Sequence, residues 1–364
     1  MAGRFSTAAA GAGIPAALAS ALLFGASTPF AKILIGDGLD PFMAAGLLYL
    51  GSGAGLAVVI ATRALVRRGP APEAGLRLAD LPWLALVIAF GGVIGPLLLM
   101  IGLRTTPGST AALLLNLESL ATLAIAWLAF GESVDRRLLL GAAAIVGGAV
   151  LLSWPAGQSG GPAGFGALAI AGACLAWGID NNLTRRISAA DPMTIAAVKG
   201  LAAGSVNLAL ALAGGAALPG PETVAAAGLV GLLGYGVSLS LFVIALRHLG
   251  TARAGAYFAT APFIGAALAI PLLSESLSWP FAASAVLMGA GVWLHLTERH
   301  SHAHHHHEIV HEHAHVHDDH HRHAHGPDDP AGEPHSHVHR HEPMTHEHPH
   351  FPDLHHRHGH GSGG

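Results

Sequence analysis

The sequence predicts an all-α polytopic membrane protein: ten transmembrane helices arranged as two inverted five-helix repeats, followed by a disordered C-terminal tail. Three observations predict it. Apolar runs long enough to cross a bilayer, which takes about 20 residues, succeed one another from residue 14 to residue 297. Arginine falls almost wholly in alternate loops. The first half of the chain also aligns on the second.

Composition agrees. The 364 residues are 52% hydrophobic and only 11% charged, whereas soluble domains carry about 25% charged residues. The net charge of −4 divides unevenly between two regions. Residues 298–364 hold 25 of the 27 histidines, 11 acidic side chains and four arginines, leaving 14 Lys/Arg against 11 Asp/Glu in the body. The single cysteine, Cys174, excludes a disulfide within the chain and a thiolate-rich metal cage.

The elements follow in order. Residues 1–13 are a short N-terminal segment. The span 14–35 contains "FGASTPFAK", with Pro29 and Lys32; a signal peptide would be one such run before a soluble chain, but nine more follow. The span 41–62 opens on "DPF" and carries Gly51-x-x-x-Gly55, and 81–103 carries Gly91-x-x-x-Gly95 and Pro96. Small residues at that spacing let helices approach closely. The span 108–130 holds Asn116 and Glu118, and 137–154 closes the first repeat, 14–154. After the linker 155–163, the span 164–184 ends in "WGIDNNLT" and 193–213 follows "DPM" with Lys199 and Asn207. The spans 224–246, 254–273 (with Pro262 and Pro271) and 280–297 complete the second repeat, 164–297.

With the N-terminus inside, the inside loops hold Arg4, Arg63, Arg67, Arg68, Arg77, Arg136, Arg137, Arg185, Arg186, Arg247, Arg253 and Arg299, and the outside loops only Arg104. This positive-inside bias puts both termini, and the tail, in the cytoplasm. Residues 102–133 align without a gap on 245–276, matching Leu103/Leu246, Arg104/Arg247, Ala111/Ala254, Glu132/Glu275 and Ser133/Ser276. "DPF" at Asp40 pairs with "DPM" at Asp191, and "FGASTPFAK" with "WGIDNNLTR". Five helices per repeat is an odd number, so the halves are inverted. Inverted repeats with a site at their interface are the architecture of alternating-access transporters.

These motifs, in this order, resemble the drug/metabolite transporter superfamily, specifically its EamA-type exporters. The resemblance covers about 14–297 and leaves the tail outside. It implies a proline 13 residues before a terminal Glu: Pro262 and Glu275 obey this, but Ser119 stands before Glu132. That departure predicts a straighter fourth helix. The resemblance also implies an exporter of small organic solutes rather than an enzyme.

Ionisable groups inside a span are costly and are functional candidates by default. Asp180 and Lys199 fall at similar depth on consecutive helices, so a charge pair is available, either as a fixed brace between helices or as a pair that exchanges partners with a proton or charged substrate. Glu118 has Leu114, Leu115 and Thr122 as helix-face neighbours and is a candidate central carboxylate. Asn116, Asn181, Asn182 and Asn207 can bond across helices or contact a ligand; Asn207 shares a face with Lys199. Pro29 and Pro262 mark positions where helices would bend during gating. Lys32 and Arg185 sit near opposite surfaces, where snorkelling accounts for them, and Glu132 and Glu275 sit at helix ends, where capping does. "GSGAG" has no strand before it and is no nucleotide loop. No nucleophile–base spacing occurs in the body.

The tail has few apolar residues and cannot bury a core. Its H-x-H and HHHH runs, interleaved with Glu308, Glu312, Asp318 and Asp319, suit Zn²⁺, Ni²⁺, Cu²⁺ or Co²⁺. The candidate ligands are His302, His304, His305, His306, His307, His311, His313, His315, His317, His320, His321, His323 and His325. The expected partners are the lipid bilayer, a small-molecule or ion substrate and a divalent metal, with no nucleic acid and no required cofactor; a homodimer is a candidate assembly. Three functions remain open: a proton-linked metabolite exporter of a bacterial inner membrane whose tail binds metal, a divalent-metal exporter with the tail as collector, and a membrane-anchored metal store or sensor.

Overall fold

A computed structural model gives the architecture. It describes residues 7–66, 75–130, 136–153, 162–184, 186–187, 190–249 and 251–297, with 301–306, 309–315, 335–341 and 344–349 in the tail. Glu132, Arg185 and the tail ligands His307, His317, His320, His321, His323 and His325 lie outside these residues.

Among the described residues nine helical stretches are long and apolar enough to cross a membrane. The tenth expected span is α8 (Pro162–Thr184), whose end carries the polar run Asp180-Asn181-Asn182. The first repeat comprises α1 (Thr7–Gly36), α2 (Pro41–Val66), a third span built from α3 (Leu81–Val87), a π-helical turn at Ile88–Ile94 and α4 (Gly95–Thr105), a fourth built from α5 (Gly108–Leu114) and α6 (Leu117–Phe130), and α7 (Arg136–Ser153). The second comprises α8, α9 (Pro192–Ala213), an eighth span of α10 (Pro221–Gly231), a π-helical turn at Leu232–Val237 and α11 (Ser238–Leu249), a ninth of α12 (Thr251–Phe258) and α13 (Ala261–Leu272), and α14 (Trp279–Leu296). Large apolar side chains such as Phe165, Leu168 and Val286 cover the outer surface, as lipid-facing helices require.

Local chemistry sets the ends. Asp40 accepts from the N–H groups of Phe42 (2.9 Å) and Met43 (3.1 Å), and Asp191 accepts from the Met193 N–H (3.1 Å) and the Thr194 hydroxyl (2.7 Å). Each "DP" is thus an N-cap followed by a proline at the first helical position, which needs no donor there. At the arginine-bearing face, Arg137 lies 5.6 Å from the Trp293 ring and Arg186 5.5 Å from the Trp83 ring.

The fourth span is not straight. It breaks at Leu115–Asn116, next to the equivalent of the second repeat's break at Ala259–Thr260. No proline is needed, because side chains compete for the backbone. The Asn116 amide donates to Leu113 O (2.8 Å) and the Ser119 hydroxyl to Asn116 O (2.8 Å). In the second repeat the Thr260 hydroxyl donates to Tyr257 O (2.6 Å) just before Pro262. Pro29, by contrast, lies inside an unbroken α1.

The two repeats interleave: α2 packs along α9, α4 and α6 against α8, α1 against α11 and α13, and α7 against α14. The α2/α9 seam is held close by glycine. A Cβ on Gly53 would lie 2.4 Å from the Leu201 nitrogen, and one on Gly204 2.6 Å from that of Leu50.

Where composition predicts disorder, the tail carries four short strands: β1 (Ser301–His306) pairs antiparallel with β4 (Met344–Pro349), and β2 (Ile309–His315) with β3 (His335–His341). The H-x-H alternation has the period of a strand as well as that of a ligand pattern.

Candidate functional site

The site begins with a proline. Pro96 has no N–H to return to Gly91 in the π-helical register or to Gly92 in the α-helical one. Those two carbonyls are satisfied from other helices, as the apolar setting demands. Tyr49 of α2 donates its hydroxyl to Gly91 O (2.8 Å), Trp177 of α8 donates Nε1 to the same oxygen (3.1 Å), and Asn207 of α9 donates Nδ2 to Gly92 O (3.0 Å). Asn207 is fully buried and ties α9 to the third span.

Against this turn sits an ion pair. Lys199 Nζ donates to Asp180 Oδ2, and Thr184 donates its hydroxyl to Asp180 Oδ1 (3.3 Å). The aspartate side chain is 6% exposed and the lysine 19%, so the ammonium is the more open partner. A Cβ on Gly91 would lie 2.0 Å from Asp180 Oδ2 and 2.5 Å from Lys199 Nζ. The absence of a side chain at residue 91 is what admits the pair.

One residue on, Asn181 spends both amide hydrogens toward the fourth span, on Glu118 Oε1 (3.0 Å) and Thr122 Oγ1 (3.1 Å), and Asn182 donates to Thr122 O (3.0 Å). Glu118 is partly buried at the start of α6. It is joined through Asn181 to α8, while Asn116 works at the helix break. At that break Leu114 O lacks a turn of helix above it, and the buried Cys174 thiol points to it at 3.6 Å.

Between the repeats lies a cavity of about 240 Å³. Asn181 and Lys199 line it, with the hydroxyl side chains Ser52 and Ser238 and the rings Phe24, Tyr49, Tyr235, Phe242 and Phe258. The rings pack on one another: Phe24–Phe258 centroids are 5.1 Å apart, Tyr49–Tyr235 5.7 Å and Phe242–Phe258 4.8 Å. Sequence reasoning missed most of these residues. Tyr49 and Tyr235 fall within spans two and eight, but Tyr257 falls within span nine, so a tyrosine in a span does not by itself mark the cavity.

At the face opposite the arginine-rich loops the helix ends are locked. Glu275 accepts from the Gly108 N–H (2.5 Å), the Ser109 N–H (2.9 Å) and the Ser109 hydroxyl, capping the N-terminus of α5 from the other repeat. Lys32, partly exposed near the same face, donates to Leu103 O at the end of α4.

Residues 11–154 and 164–297 each match the EamA-like transporter family. A protein of Methanothermobacter thermautotrophicus described as an uncharacterized transporter is 29% identical over 289 residues, covering 76% of this chain and 84% of that protein. A solved crystal structure at 20% identity covers 77% of this chain and 95% of its own, with a TM-score of 0.56; at that identity it speaks for the fold alone.

Proposed function

The chain belongs to the EamA-like transporter family, and on that premise we propose that it is a secondary transporter exporting a small organic solute by alternating access. The solute binds in the cavity between the repeats, beside Asp180, Lys199 and Asn181. The single observation that carries this reading is that cavity: it lies where spans of both repeats meet, and its rings and few polar groups suit an organic molecule. The Asp180–Lys199 pair and Glu118 are the groups that exchange partners with solute or proton during the cycle. The positive-inside bias supports a multi-pass protein with both termini cytoplasmic, and the Ala/Gly/Arg-rich usage with compact loops supports a bacterial inner membrane.

The tail is proposed to bind divalent metal. The backbone register supports this: His302 stands opposite His348 and His304 opposite His346, while His311, His313 and His315 face His339, His337 and His335. Directly opposed residues of a ladder, and residues two apart along a strand, share one face, so this register groups histidines into a donor set suited to Zn²⁺, Ni²⁺, Co²⁺ or Cu²⁺. Metal export through the body is the second reading, favoured by the tail. Against it, the described residues lining the cavity offer an ammonium, an amide, hydroxyls and rings, with no imidazole, thiolate or carboxylate.

The test is solute accumulation in everted, energised membrane vesicles given a defined mixture of organic acids, amines and neutral metabolites together with Zn²⁺, Ni²⁺ and Co²⁺. The wild-type chain is expected to accumulate an organic solute, and Asp180→Asn to abolish it. Accumulation of a metal ion that requires Asp180 would replace this reading by metal export. Vesicles indistinguishable from those without the protein would overturn both.

A further inference from the structure

We infer that the transported solute carries a carboxylate on a compact aromatic or apolar body, and that Lys199 is the group that reads the carboxylate. The inference rests on the transporter reading and names its substrate class.

Among the described residues lining the cavity, Lys199 alone carries a charge. Asp180 sits behind it, more buried than the lysine and held from the far side by Thr184. An ammonium has three donors, and Asp180 takes one of them, so two remain for an incoming oxygen anion. A cationic solute would meet the like charge of Lys199 before reaching any carboxylate. An uncharged solute would leave the spare donors of a half-buried ammonium unmet, which is costly away from water.

Of the uncharged groups, only the Ser52 and Tyr235 hydroxyls are left to donate beside Lys199, and a neutral hydroxyl is the weaker partner for an anion. Both amide hydrogens of Asn181 are committed to Glu118 and Thr122, the Tyr49 hydroxyl to Gly91 O, and the Ser238 hydroxyl to Ser20 O. What they leave is wall: five rings, in tilted or edge contact with one another, opposite a single charged donor. At about 240 Å³ the space falls below the roughly 300–1,000 Å³ of pockets for drug-sized ligands. It fits one ring or a short branched chain beside a carboxylate. When such an anion binds, Lys199 is shared between it and Asp180, so entry of the solute loosens the tie between α8 and α9.

The experiment is direct binding of radiolabelled phenylacetate, phenethylamine and benzyl alcohol to the full chain in lipid nanodiscs. The three probes share a ring and differ in charge. Phenylacetate is expected to bind about tenfold or more tightly than either of the others, the fold-change that one charged hydrogen bond supplies. The double variant Lys199→Met/Asp180→Asn, which removes both charges and strands neither, is expected to lose about tenfold or more in phenylacetate affinity. Tighter binding of phenethylamine or benzyl alcohol by the wild type overturns the inference, and needs no variant to do so. So does phenylacetate binding that survives in the double variant, or binding of none of the three. Each of those results leaves the transporter reading to be judged by Asp180-dependent accumulation in vesicles.

Discussion

Gly91 is the position where one added carbon should do most harm. Built as alanine, its Cβ would lie 2.0 Å from Asp180 Oδ2, 2.2 Å from Asp180 Cγ and 2.5 Å from Lys199 Nζ. Relaxed contacts of this kind lie near about 3.5 Å, so the carboxylate has to move by roughly 1 Å or more. α8 has little room to retreat, because a Cβ on Gly178 would already lie 2.8 Å from Ala121 Cβ on the other side. The ion pair therefore yields. Overpacking of this kind costs about 1–3 kcal/mol, and parting the buried pair would raise it to about 3–5 kcal/mol. The assay is unfolding of the purified protein by titration with SDS in mixed micelles, with Gly228→Ala as control, since a Cβ there meets nothing within 4 Å. Gly91→Ala should lose about 1–3 kcal/mol, Gly228→Ala should stay within about 0.5 kcal/mol, and the Gly91→Ala cost should shrink in an Asp180→Ala background. A Gly91→Ala protein as stable as wild type would refute the packing of the pair on the π-helical turn.

The same titration tests four further positions. Glu275→Ala strands the N–H groups of Gly108 and Ser109 and should cost about 1.5–3 kcal/mol, with Glu275→Gln costing less because one acceptor survives. Asn207→Leu leaves Gly92 O without its donor and should cost about 1–3 kcal/mol; an unchanged midpoint would mean that the carbonyl finds another partner. Ser119→Pro should stay within about 1 kcal/mol of wild type, because residue 119 lies in the first turn of α6, whereas Ala124→Pro in the interior of that helix should lose about 3 kcal/mol or more. Truncation after Thr297 should abolish zinc binding measured by calorimetry while leaving solute accumulation intact; loss of accumulation would tie the tail to the transport path.

Hydropathy makes the spans readable, and the "DP" pairs and the aligned stretches ending at Ser133 and Ser276 make the two halves readable, because those signals are local and periodic. Asp180 and Lys199 can be matched by counting depth along two consecutive helices. The break in the fourth span escapes a reading that looks for proline as its cause. Asn116 and Ser119 break the helix by bonding to their own backbone, which composition alone does not reveal. Asn207 shares a helical face with Lys199, yet it turns to Gly92 O. That carbonyl needs a donor only because Pro96, four residues beyond Gly92 in the first repeat, supplies none. The partner of Glu275 is likewise set by tertiary structure: the glutamate is recognisable as a cap, but the helix it caps lies across the repeat interface. The aromatic walls stay hidden because single rings in apolar spans carry no periodic signal.

The account rests on solute passing through the cavity, and one substitution addresses that passage directly. Ala196 of α9 lines the cavity without a hydrogen-bonding role. In a Cys174→Ser background, Ala196→Cys would be the only thiol. Accumulation of the solute found for the wild type would be measured in everted vesicles before and after reaction with a membrane-impermeant maleimide. The account predicts that Ala196→Cys transports until it is modified, reacts in everted vesicles, and stops transporting in proportion to the thiol modified. Undiminished accumulation after complete modification would show that solute does not pass through the cavity.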